Sequence, residues 1–194
     1  MIKPDGQILV IFGASGDLTK RKLLPSLYEL FARDMLPENF VILGVARTPF
    51  SDEEFRIQQK DNLKAFLKGK HPEAKQLDAF LERVHYLGFN SDEAAEYHLL
   101  VEKIAELRKA KDIPDHLIFY LATPPQKYGP IAEALRKSKL NKASEEGGWR
   151  RIIVEKPFGY DLESARELNR IYASVFNEHQ IYRIDHFLGK ETAQ

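Results

Sequence analysis

The stretch from Gln7 to Leu30, QILVIFGASGDLTKRKLLPSLYEL, constrains this chain more than any other. Ile8 to Phe12 form a run too short for a helix and apolar on every side, as a strand buried on both faces of a parallel sheet requires. Gly13 and Gly16 end it. Leu18, Leu23, Leu24, Leu27, Tyr28, Leu30 and Phe31 then recur at helical spacing, so the reading is strand, glycine turn, amphipathic helix. This is the first unit of an α/β, doubly wound Rossmann-type parallel sheet of the kind that binds dinucleotides. A residue without Cβ lets the backbone approach a pyrophosphate, and the N–H groups of the next helical turn point at it with the positive end of the dipole. The glycines by themselves leave two readings open, a phosphate cradle or a plain tight turn. Their spacing is GxxGxxT, with Ala14 and Ser15 between them and Thr19 where a third glycine would stand.

The chain of 194 residues is long enough to bury a sizeable core as one domain, and 43% hydrophobic with 30% charged residues is an ordinary composition for a soluble protein. Lys plus Arg and Asp plus Glu both number 29, so nothing in the charge points to nucleic acid or another polyanion. Without cysteine there are no disulfides, thiolate metal sites or cysteine nucleophiles. The apolar stretch after Lys3 and Asp5 is too short for a signal peptide, and no run reaches the length of a membrane span, so the expected location is the cytoplasm. His85 and His98 have no companion at metal-ligand spacing and read as structural.

Phe40 to Ala46, FVILGVA, reads as a second strand, and Arg47 follows it. In dinucleotide folds this strand end faces the adenosine ribose, where an acidic residue binds a 2′-hydroxyl and an arginine accommodates a 2′-phosphate. Arg47 lies about thirty residues past Gly16 instead of roughly 20, which a long first helix explains. It either meets a 2′-phosphate or caps the strand at the surface. Ser51 with Glu54 forms a capping box for a helix running toward Leu67, and Glu73 to Leu81 reads as another helix. Val84 to Phe89 is a short strand. Asn90 opens a helix with an apolar stripe of Tyr97, Leu100, Val101, Ile104 and Leu107.

Leu117 to Leu121 is a buried strand that Pro124 and Pro125 stop at its carboxyl end, the edge where open α/β sheets bind ligands. A helix from Ile131 to Leu140 and a polar surface loop, Asn141 to Gly148, lead to a fifth strand, Arg151 to Val154. Lys156 follows at its carboxyl end, braced by Pro157. Asp161 caps a helix whose buried face is Leu162, Ala165, Leu168, Ile171, Tyr172 and Val175. The last strand, Gln180 to Ile184, delivers Asp185, His186 and Lys190 into one turn, and in a helix His186 and Lys190 would share a face able to clamp an anion.

Four segments together resemble the glucose-6-phosphate dehydrogenases: GASGDLTKRKLLPSLYEL, LATPPQKY from Leu121 to Tyr128, EKPFG from Glu155 to Gly159, and RIDHFLGKE from Arg183 to Glu191. They occur in the family's order, and the resemblance spans Ile8 to Glu191. It implies that Gly13, Ser15, Gly16, Asp17 and Leu18 line the coenzyme pyrophosphate, with Thr19 and Lys20 nearby. It further implies that Arg47 and Thr48 bind the 2′-phosphate of NADP and that Tyr128 belongs to the coenzyme pocket, although a purely structural Tyr128 stays open. Lys156 would contact both coenzyme and sugar, acting as a catalytic residue and as a substrate ligand, unless it is a surface lysine. His186 and Lys190 would hold the phosphate of glucose 6-phosphate. Asp185 would be catalytic by orienting and stabilising a base histidine. The family's signature has Tyr where this chain has Phe187, and losing a hydrogen bond to a charged group costs about 1.5–3 kcal/mol.

The implied reaction is oxidation of glucose 6-phosphate at C1 to 6-phosphogluconolactone with NADP, the first step of the oxidative pentose phosphate pathway, by an enzyme that forms homo-oligomers. Residues 1–194 then read as one NADP-binding domain ending just after the active-site signature. By the resemblance the base histidine and a C-terminal α+β domain lie beyond Gln194, so the expectation is a piece that binds coenzyme with little or no turnover. Two other readings stay open: a different NADP-dependent sugar oxidoreductase with an EKP lysine, and a non-catalytic NADP-binding module.

Overall fold

A computed structural model describes residues 3–67, 72–144 and 147–184. Six parallel strands form one sheet in the order β3-β2-β1-β4-β5-β6, where β1 is Gln7–Phe12, β2 Phe40–Ala46, β3 Val84–Gly88, β4 His116–Leu121, β5 Trp149–Val154 and β6 Ile181–Arg183. The order reverses between β1 and β4, so the chain winds outward from β1 in both directions. Every residue of β1 is buried, as an apolar run covered on both faces demands.

Alternate residues of β1 serve two separate cores. Leu9 and Ile11 pack under α1 (Leu24–Ala32), α2 (Asp52–Phe66) and α3 (Ala74–Leu81), whose Tyr28, Phe55 and Phe80 fill that side. Ile8, Val10 and Phe12 face α4 (Tyr97–Lys111), α5 (Tyr128–Lys137) and α6 (Leu162–Val175), with Tyr97, Tyr128 and Tyr172 among the buried side chains. Fully burying a Leu, Val or Phe side chain contributes about 1.5–3 kcal/mol relative to leaving it exposed, so these two cores hold the sheet as a rigid platform.

The helix after β1 is not regular. Thr19–Leu23 is π-helical, closed by the Leu24 N–H donating to the Thr19 carbonyl five residues back. Pro25 stands directly beyond, and it offers no N–H and crowds the carbonyls of the turn before it, which the wider turn accommodates. Ser51 caps α2 as the sequence predicts: its hydroxyl accepts from the Glu54 N–H, and the Glu54 carboxylate accepts from the Ser51 N–H at 2.8 Å. Asp161 caps α6 in the same way through Ser164.

Several boundaries differ from the sequence reading. A 3₁₀ turn, Ala94–Glu96, precedes α4, whose Val101 is 38% exposed and so lies off the buried stripe. α5 starts at Tyr128, three residues before Ile131, because Pro125 and Pro130 fall where a starting helix needs no N–H. Leu162 of α6 is 66% exposed, leaving Leu168, Tyr172 and Val175 as its buried residues. Gln180 closes a 3₁₀ turn instead of opening β6. The segment after Leu140 is no simple surface loop, since buried Asn141 donates from Nδ2 to the Val175 carbonyl at 2.8 Å.

Helix α2 also covers the outer edge of β3. Asp52 Oδ1 accepts the Tyr86 N–H at 2.7 Å, and Arg56 Nε donates to the Val84 carbonyl at 2.7 Å. His85 lies between them with Nδ1 at 2.8 Å from Asp52 Oδ2, and His98 Nδ1 is bonded to the Ala95 carbonyl at 2.7 Å. Among the described residues no helix is long and apolar enough to cross a membrane.

Candidate functional site

The carboxyl ends of β1, β2, β4 and β5 converge on one edge of the sheet, and the reversal of strand order opens a crevice there. The turn after β1 is pinned to β2. The N–H groups of Gly13 and Ala14 both donate to the Val45 carbonyl, at 2.9 and 3.1 Å, and the Gly16 N–H closes back on the Gly13 carbonyl at 2.9 Å. Thr19, buried in the wide turn, donates its hydroxyl to the same Gly13 carbonyl at 3.1 Å. The turn's own bonds thus spend the donors of Gly13, Ala14 and Gly16, while Ser15, Asp17 and Leu18 follow at the helix start, where donors lack intrahelical partners.

Glycine is required at position 13. Its φ is +86°, and a Cβ there would lie 2.4 Å from the Ala122 carbonyl oxygen at the end of β4. The two strand ends are joined by the Ala122 N–H donating to the Phe12 carbonyl at 2.9 Å. Sequence reasoning missed a second close approach: a Cβ on Gly44 in β2 would come within 2.8 Å of Ala14 Cβ. The signal was present as the lone glycine inside FVILGVA, which marks backbone that must pass close to something.

Asp17 turns to its own helix. Its carboxylate pairs with Lys20 Nζ at 2.6 Å and Arg21 Nε at 3.4 Å, and the Lys20 hydrogen bond holds its pKa below the usual carboxylate range. Those cations neutralise a charge that would otherwise repel an anion at the turn. Ser15 is exposed and Leu18 half-buried beside it. Arg47 and Thr48 are exposed just past β2, next to the strand whose Val45 anchors the turn. The Arg47 guanidinium makes no ion pair among the described residues. Its loop is fixed, because the Tyr86 hydroxyl donates to the Thr48 carbonyl at 2.6 Å.

Lys156 is exposed at the end of β5, and its peptide bond to Pro157 is cis. Tyr128, for which the sequence leaves a pocket role and a structural role open, lies on α5. It is 1% exposed, packed in the core with α4 and α6, and its hydroxyl donates to the Glu155 carbonyl at 3.2 Å. It supports the strand end that carries Lys156. Asp185, His186 and Lys190, with Phe187, lie outside the described residues.

The edge fits a dinucleotide on its own observations. A side chain at position 13 would fill the cradle beside Ala122, and the buried Thr123 Oγ1, next to that cradle, has no hydrogen-bond partner among the described residues. Such an arrangement can bind phosphate through backbone N–H groups, hold a second anion at Arg47, and present an ammonium group at Lys156.

A model of the family described as glucose-6-phosphate dehydrogenase, NAD binding domain, matches residues 10–194. The glucose-6-phosphate 1-dehydrogenase of Aggregatibacter actinomycetemcomitans is 46% identical over 193 residues, covering all of this chain and 38% of that protein. The enzyme of Treponema pallidum is 44% identical over 188 residues, 96% of this chain and 36% of that one. A solved glucose-6-phosphate dehydrogenase in complex with its substrate glucose-6-phosphate superposes with a TM-score of 0.83 at 36% identity, over 98% of this chain and 39% of that structure. A Mycobacterium avium glucose-6-phosphate 1-dehydrogenase structure gives a TM-score of 0.79 at 36% identity, over 96% of this chain and 37% of that one. The chain thus spans between a third and two fifths of the length of each of these four relatives. With the fold, the glycine turn and the family match in agreement over nearly its whole length, this chain belongs to the glucose-6-phosphate dehydrogenase family.

Proposed function

We propose that this chain is the coenzyme-binding part of a glucose-6-phosphate dehydrogenase that prefers NADP and works in the cytoplasm. The observation that carries the reading is the closed Gly13 turn beside Ala122 at the sheet's switch point, with Arg47 on one side and Lys156 on the other. The solved relative that superposes on the chain was determined with glucose-6-phosphate, which supports the same sugar phosphate as substrate here.

In this reading the first helical turn, Ser15 to Leu18, holds the pyrophosphate, and Arg47 with Thr48 holds the 2′-phosphate. A planar guanidinium grips a phosphate through two parallel hydrogen bonds, which is the basis for discriminating NADP from NAD. When bound there, the coenzyme would supply the acceptor for a hydride from C1 of the sugar. Lys156 reaches coenzyme and sugar from the strand end and fixes their relative position, so that the reacting atoms meet without a further loss of freedom. Asp185 serves the proton-transfer step by orienting a base, and His186 and Lys190 hold the sugar phosphate.

Calorimetric titration of the chain with NADP⁺ and, separately, with NAD⁺ tests the reading. The expected result is clear NADP⁺ binding with NAD⁺ at least tenfold weaker. Equal affinities would remove Arg47 from its role, and binding of neither would overturn the coenzyme assignment for these residues.

A further inference from the structure

Glu155, the residue before Lys156, is 6% exposed and is held through both faces of the sheet. From one face the Tyr120 hydroxyl of β4 donates to its carboxylate at Oε1. From the other the Tyr128 hydroxyl of α5 donates to its main-chain carbonyl at 3.2 Å, and the Tyr172 hydroxyl of α6 donates in turn to the Tyr128 carbonyl at 3.4 Å. The Tyr120 ring packs in the core with α1 to α3, whereas Tyr128 and Tyr172 pack in the core with α4 and α6.

A carboxylate buried at the ligand-binding end of a strand carries a desolvation cost that an apolar residue of similar size would not. Packing alone does not ask for it. What a carboxylate adds is direction, since the ionised group is an acceptor with defined lone pairs and a phenol donating to it forms a charge-assisted bond stronger than a neutral one. Burial, followed by the contact with Glu155, pushes the Tyr120 hydroxyl far above its ordinary pKa, so it remains a donor at any working pH.

We propose that Tyr120 is a positioning residue for this edge: it fixes the Glu155 carboxylate while Tyr128 fixes the Glu155 carbonyl, and together they set where the Lys156 side chain begins. The proposal rests on the reading of the edge as a coenzyme and sugar site, within which it assigns a role to a residue that touches neither. Lys156 then needs no rigidity of its own, because its backbone is clamped from both layers of the fold.

The test is a cycle of Tyr120→Phe, Glu155→Ala and the double variant, read by calorimetry with NADP⁺, by melting temperature, and by amide hydrogen exchange of the peptide spanning residues 154–158. Tyr120→Phe keeps the ring and removes only the donor, so the fold is expected to survive. The expected result is an affinity loss of about tenfold for Tyr120→Phe and no added loss when it is combined with Glu155→Ala. Exchange should quicken in the 154–158 peptide while a β1 peptide keeps its rate. Unchanged affinity and exchange in Tyr120→Phe would overturn the proposal, as would losses that multiply in the double variant. If the unaltered chain binds no coenzyme, the functional reading fails by itself, and the exchange rates alone decide for or against the clamp.

Discussion

Arg150 and Asp115 face each other across the amino-terminal ends of β5 and β4 in a two-pronged ion pair, with Arg150 Nη2 at 2.9 and 2.8 Å from the two carboxylate oxygens. Their side chains are only 6% and 4% exposed. Arg108 from α4 adds a contact to Asp115 at 2.8 Å, and the Ser144 N–H donates to it at 2.7 Å, so this pair fastens the end of the sheet opposite the site. Arg150 Nε also donates to the Leu140 carbonyl at 3.0 Å.

Removing one partner of this pair leaves the other charge buried. Asp115→Ala, which leaves the Arg150 guanidinium without a counter-charge among the described residues, should cost about 3–5 kcal/mol of stability, measured by urea unfolding, whereas replacing both residues by apolar ones of similar volume should cost much less.

The same pair makes stability depend on acid. Burial alone would raise the Asp115 pKa, but the Ser144 N–H, the Arg150 hydrogen bond and charge, and Arg108 outweigh it and hold the carboxyl below its usual value. A folded-state pKa below the unfolded one, about 3.9, contributes stability that is complete above the unfolded value and is lost as pH falls through the folded one. The melting temperature should therefore drop steeply below about pH 4, and Asp115→Asn should flatten that drop while lowering stability at neutral pH.

Gly13 and Gly16 should respond differently to alanine. At Gly13 the φ of +86° and the Ala122 oxygen 2.4 Å from a Cβ both oppose a side chain, so Gly13→Ala should lose about 1–3 kcal/mol in stability together with NADP⁺ binding. At Gly16 the nearest atom, the Gly13 oxygen, would be 3.1 Å away, so Gly16→Ala should fold with a smaller change. Parallel melting and titration of the two variants checks this.

Arg47→Ala should weaken NADP⁺ binding by about 1.5–3 kcal/mol, ten- to hundredfold, and change NAD⁺ binding little. The difference between the two coenzymes, measured in one titration series, is the quantity that responds.

Asp52→Ala should cost about 1–3 kcal/mol, because it leaves the Tyr86 N–H without its acceptor and His85 with only its longer contact to Arg56. Light scattering alongside the melt should show increased self-association, since an exposed strand edge pairs readily.

Where the chemistry of a segment is local, the sequence announced it. The apolar run Ile8 to Phe12, the Ser51 to Glu54 capping box and the stop at Pro124 each follow from neighbours a few residues apart, and all three stand in the structure. What could not be read was contact between distant segments. Tyr120 and Glu155 are 35 positions apart and meet only because β4 lies beside β5. Tyr128 carries a hydroxyl that suits a pocket equally well as a core, and only its place on α5 turns it inward. Asn141 looked like a loop residue because its partner, the Val175 carbonyl, lies 34 positions away.

The contacts that α2 makes along β3 give the sheet two unlike flanks. By taking the Tyr86 N–H and the Val84 carbonyl, Asp52 and Arg56 withdraw two of the backbone groups that another strand would use on this flank. The opposite flank is β6, three residues long from Ile181 to Arg183. The two flanks of the sheet are thus unlike: a helix's side chains meet the backbone of β3 on one, and a strand of three residues stands on the other, the side of β5 and Lys156.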